Sequence, residues 1–84
     1  MTGTEDIQMW AGRHLGVRHF EPLFSYKHLP EHLQLISQPF SALAEKLLAA
    51  LQDGQELSVC LRKLLEAKDA AVRQAMLDHE GITA

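Results

Sequence analysis

Apolar residues recur at alternating steps of three and four through the second half of this chain. Leu33, Ile36, Phe40, Leu43 and Leu47 form one such stripe, widened by Ala44, Leu48 and Leu51. Leu57, Leu61, Leu64, Leu65, Val72, Ala75 and Met76 form another. That spacing keeps the apolar side chains on one face of an α-helix, so the pattern predicts two amphipathic helices, about 31–52 and about 54–79. Pro39 falls inside the first stripe without shifting its phase. This predicts a kink, or a restart capped by Ser37, within one domain. The turn Asp53-Gly54-Gln55-Glu56 matches a D-x-x-E capping box, in which Asp53 accepts from the backbone at Glu56. So short a connection predicts a helical hairpin over residues 30–81. Gly81 is placed to end the second helix.

Residues 1–29 show no comparable period. Thr4 is a candidate cap for a short helix over Glu5–Ala11, with Glu5 and Asp6 in its first turn. From Gly12 to Leu29 the chain reads as irregular or extended, punctuated by Pro22 and closed by Pro30. This segment sets Arg13, Arg18 and Lys27 against one acid, Glu21, among His14, His19, His28, Phe20, Phe24 and Tyr26. The fold expected is all-α: a short N-terminal helix and extended segment, then an antiparallel hairpin, assembling into a compact homo-oligomer. The assembly follows from size. A lone core of about 70–80 residues rarely supplies more than about 3–5 kcal/mol, and two helices cannot cover each other's stripes completely.

Composition narrows the function. The 84 residues carry a formal net charge of -3, so no basic excess drives binding to DNA. No apolar run approaches the ~20 residues that span a bilayer. The single cysteine, Cys60, has no internal partner and reads as a packed thiol, which fits a reducing cytoplasm. Five histidines stand in no ordered Cys/His framework, so neither a metal nor another cofactor is expected. No nucleophile elbow, glycine-rich phosphate loop or H-E-x-x-H occurs, and Arg62 with Glu66, or Asp69 with Arg73, reads as an i,i+4 surface pair. An enzyme is not expected.

Two places invite ligand contact. In Phe24-Ser25-Tyr26-Lys27-His28, an aromatic ring suited to stacking on a nucleobase adjoins a cation suited to phosphate. The plainer reading, favoured for Phe20 and Phe24, is that they plug the open end of the hairpin; for Tyr26 with Lys27 the two readings stand level. Lys68 lies on the apolar stripe of the second helix. Snorkelling of its stem is the favoured reading; a subunit seam facing an anion and an ion pair with a neighbouring helix are the others.

Together these residues resemble a family. Phe24-x-Tyr26, a proline, a helix, a turn ending in Glu56, and then Leu61-Arg62-Lys63-Leu64-Leu65-Glu66-Ala67 are similar to the hairpin domain of phage-encoded cyclic-oligonucleotide sponges. Those proteins block the CBASS and Thoeris defences of bacteria. The resemblance covers roughly residues 23–77. It departs at Gly54-Gln55, where the family often carries Ser-Arg, and at Lys68-Asp69-Ala70-Ala71, where it often carries tryptophan and asparagine. The resemblance implies a homo-oligomer, typically a hexamer, in the cytoplasm of an infected bacterial host. It implies a cyclic di- or trinucleotide or a cyclic ADP-ribose-type signal, bound between subunits and not cleaved. Tyr26 matches the family tyrosine that lies against the ligand, and Lys63 matches the family lysine of the second helix. Arg13, Arg18, Lys27 and Lys68 complete the cations available to phosphate. The other reading is an oligomerisation or protein-interaction hairpin with no nucleotide ligand.

Overall fold

The computed structural model describes residues 10–81, and they are all-helical. Helix α1 spans Leu15–Arg18 and a 3-10 turn spans Glu21–Phe24. Two long helices follow, α2 over Glu31–Ala50 and α3 over Gln55–His79. No strand occurs among the described residues. The helix expected over Glu5–Ala11 lies mostly outside them; Trp10 and Ala11 are helical.

Helices α2 and α3 form where the stripes place them. α2 continues unbroken through Pro39, so no restart occurs. Proline lacks the N–H that would bond the Leu35 carbonyl one turn back. Leu35 and Pro39 are both solvent-exposed, so water can take that carbonyl. Ser37 is no cap. It is buried, and its Oγ has no hydrogen-bond partner. At the far end of the chain, Gly81 takes φ 77°, a left-handed conformation, and ends α3 as expected.

The turn between the long helices differs from a capping box. Gly54 precedes α3 with no side-chain cap, because Asp53 is engaged elsewhere. Arg13 Nη1 donates to Asp53 Oδ1 at 2.8 Å, and the His14 N–H donates to Asp53 Oδ2 at 2.6 Å. A charge-assisted pair outcompetes a neutral cap for the same carboxylate. Arg13 Nη2 also donates to the Leu48 carbonyl in the last turn of α2. One guanidinium thus joins the N-terminal segment to both sides of the turn.

The core joins all of these elements. Trp10, Val17, Phe20 and Phe24 are buried with Ala44 and Leu48 of α2 and Leu57 and Leu61 of α3. Phe40, Leu64 and Leu65 pack on this cluster partly buried. Phe20 and Phe24 therefore fill the region near the connected ends of α2 and α3, not the open end. The reason is that residues 12–29 are folded, not irregular. His14 Nδ1 accepts from the Gly16 N–H at 3.1 Å to start α1. Ser58 Oγ of α3 donates to the Gly16 carbonyl at 3.2 Å and fixes α1 against it. At the other ends of the long helices the His32 and His79 rings stack, 3.8 Å between centroids and 17° apart. The described residues measure 42 × 30 × 18 Å, a slab about two helices thick, so much of each helix faces outward.

Candidate functional site

The 3-10 turn with the loop after it and the middle of α2 flank an open cleft of about 490 Å³, within the range of small-ligand sites. Phe24, Ser25, Tyr26 and Lys27 line it, together with Trp10, Glu21, Pro22, Ser41 and Glu45. Local chemistry explains the shape. Pro22, with its fixed φ, suits the first turn of the 3-10 segment, where its missing N–H costs nothing. The Ser25 N–H donates to the Pro22 carbonyl at 3.3 Å, and the Leu29 N–H to the Tyr26 carbonyl at 3.0 Å. Gln34, in the second turn of α2, then holds this loop. Its Nε2 donates to the Leu29 carbonyl at 2.8 Å and to the Lys27 carbonyl at 3.3 Å. Nothing in the stripe singles out Gln34; its polar position just before the buried face is the only signal it carries.

Each lining residue has a separate part. Phe24 is buried and stacks on Trp10, with centroids 6.1 Å apart and planes 24° apart, so its ring forms a wall and not an exposed platform. Tyr26 is half-buried and Lys27 is exposed at the same cleft. Glu21 and Glu45 place carboxylates beside them. Among the described residues the cleft thus sets one ammonium group, Lys27, beside the Glu21 and Glu45 side chains.

The remaining sequence-predicted cations lie away from this cleft. Arg13 is committed to Asp53 and Leu48, and borders a different hollow along residues 48–53. Arg18 Nη1 donates to the Ala11 carbonyl at 3.3 Å and its side chain is exposed. Lys63 is exposed on α3. Lys68 is only 13% exposed along its side chain, and its Nζ meets Asp69 on the same helix at 2.9 Å. The side chain is thus mostly covered, and its ammonium group is paired within its own helix and not with a neighbouring one. Asp69 accordingly pairs with Lys68 and not with Arg73.

A second hollow, about 440 Å³, lies between α1 and the start of α3 and is lined by His14, Gly16, Asp53, Gln55 and Ser58, among others. It carries a carboxylate and no lysine or arginine. The Arg13 guanidinium holds the Asp53 carboxyl below its usual value of 3.8, helped by the His14 N–H. Among the described residues no three His, Cys, Asp or Glu side chains gather to hold a metal ion. No described helix is long and apolar enough to cross a membrane.

Comparison with known proteins finds no matching family model, no matching curated protein and no matching solved structure.

Proposed function

We propose that this chain is a helical-hairpin sponge that assembles with copies of itself and sequesters a cyclic nucleotide immune signal without cleaving it. One observation supports the reading most directly. Tyr26 and Lys27, the ring and cation of the sponge-like segment, share a cleft large enough for a nucleotide. A base stacked on Tyr26 gains about 1–3 kcal/mol whichever base it is. The two phosphates of a cyclic dinucleotide need more cation than one protomer's cleft holds. In the proposed homo-oligomer, a hexamer by resemblance, exposed Arg18 and Lys63 of a neighbouring copy supply it.

Calorimetry with the full chain tests this against cyclic di- and trinucleotides and cyclic ADP-ribose isomers at low salt. Submicromolar binding is expected, with the ligand recovered intact after incubation. Tyr26→Ala is expected to weaken binding by about tenfold or more, from the stacking energy lost. Absence of heat with every ligand overturns the reading. It would leave the alternative favoured by the exposed apolar residues Ile36, Leu43 and Leu51, an interaction hairpin with no nucleotide ligand.

A further inference from the structure

We propose that the Tyr26 cleft selects guanine, with the Glu21 carboxylate reading the base edge and Lys27 meeting the phosphate. The inference rests on the sequestering function proposed above and assigns its ligand class.

The cleft presents groups of opposite character. Tyr26 supplies a ring face that tolerates any base. Glu21 lines the same cleft, and an ionised carboxylate only accepts hydrogen bonds. Lys27 is exposed there and only donates. A simple ammonium ligand would satisfy the carboxylate but meet repulsion from Lys27. A bare anion would satisfy Lys27 but meet repulsion from the carboxylate. The ligand that fits both carries a donor edge on a flat ring and a negative group on a short tether, which describes a nucleotide.

Among the common bases the donor edge points to guanine. Guanine presents N1–H and the N2 amino group side by side, spaced for the two oxygens of one carboxylate. Adenine and cytosine each set a ring-nitrogen lone pair beside their amino group, so a carboxylate there meets one donor and one repelling acceptor. Uracil flanks its one N–H with two carbonyls. The backbone carrying Glu21 is held before any ligand arrives. Glu21 opens the 3-10 turn, whose next residue is Pro22, and the Leu23 and Phe24 N–H groups both donate to the Phe20 carbonyl, at 3.0 and 3.2 Å. Phe20 itself is buried in the core, which fixes the turn to the body of the protein. The fixed turn thus sets where the Glu21 side chain starts, which limits the positions its carboxylate has to search.

Calorimetry with the full chain compares cyclic di-GMP, cyclic di-AMP and cyclic di-inosine monophosphate, which lacks the exocyclic amino group of guanine. The expected order is cyclic di-GMP tightest, the inosine analogue intermediate and cyclic di-AMP at least about tenfold weaker than the first, the scale of one hydrogen bond to a charged group. Glu21→Gln, at an exposed position, is expected to fold normally by circular dichroism. It should weaken cyclic di-GMP about tenfold and leave cyclic di-AMP within about twofold. The inosine comparison needs no variant and carries the test even if Glu21→Gln misfolds. Equal, Tyr26-dependent binding of all three ligands overturns guanine selection and leaves sequestration standing, as does an unchanged preference in folded Glu21→Gln. Failure of every cyclic nucleotide to bind overturns both.

Discussion

Asp53 shows how a single residue can satisfy a local motif and serve a distant contact instead. Its spacing to Glu56 fits a helix cap, yet its carboxylate binds Arg13, 40 residues earlier in the chain. Local motifs are visible in a sequence; a partner at that separation becomes visible only when the chain is folded. The consequence is a pH dependence of defined sign. The Arg13 hydrogen bond comes first, and the His14 N–H adds to it, in holding the folded pKa of Asp53 below its usual 3.8. Folding therefore gains from ionised Asp53 above that value, and the gain is lost as pH falls through the lower, folded value. Urea midpoints measured from pH 7 down to pH 2 should fall on the acid side, and Asp53→Asn should reduce the slope of that fall. Ser37 allows a test of the opposite kind. It is 1% exposed with an unpartnered Oγ, so folding strips its hydroxyl of water and returns nothing. Ser37→Ala is expected to raise unfolding free energy by about 1 kcal/mol in urea titration. An unchanged or lowered midpoint would show that the hydroxyl is satisfied in solution.

At the level of elements, the long helices were legible and the short ones were not, for one physical reason. Periodicity needs several turns to declare itself, and α2 and α3 each present many. α1 has four residues and the 3-10 turn has four, fewer than any apolar period can mark. Phe20 and Phe24 are legible as plugging residues but not as to which end they plug, and Val17 carries no periodic signal, yet all three are core. The cleft was partly legible because Phe24, Tyr26 and Lys27 are close in sequence and stay together in any compact fold. Trp10, Ser41 and Glu45 arrive from other segments, and only the tertiary fold shows that they join it. Pro39 marks the element-level cost that the stripe tolerates. Proline in a helix interior costs about 3 kcal/mol relative to alanine, less where water takes the freed carbonyl. Pro39→Ala should raise the urea midpoint by an amount worth about 1–3 kcal/mol, with helical circular dichroism unchanged or slightly increased.

For the whole molecule the deciding quantity is how much apolar surface one chain leaves uncovered. The N-terminal segment packs over part of the helix pair, so Leu48, Leu57 and Leu61 are buried within a single chain. Ile36 and Leu43 are one heptad apart on the flank of α2 and remain 36% and 44% exposed. Burying a leucine side chain is worth about 1.5–3 kcal/mol, so a seam of such residues repeated by symmetry can hold an assembly together. The two sets of residues predict opposite behaviour. Leu48→Ala empties a site inside the single chain and should lower its stability by about 2–5 kcal/mol in urea titration. Leu43→Glu touches only surface within one chain, where such changes usually fall within about 0.5 kcal/mol, but sets a carboxylate into the proposed seam between copies. Sedimentation equilibrium at micromolar concentration should then find the unaltered chain as an oligomer and Leu43→Glu as a folded single chain. Because the proposed site draws Arg18 and Lys63 from a neighbour, the same variant should lose cyclic nucleotide affinity although Tyr26, Lys27 and Glu21 are untouched. An unaltered chain that sediments alone, yet binds a cyclic nucleotide tightly, would mean that one protomer's cleft is sufficient and that the flank of α2 serves another purpose.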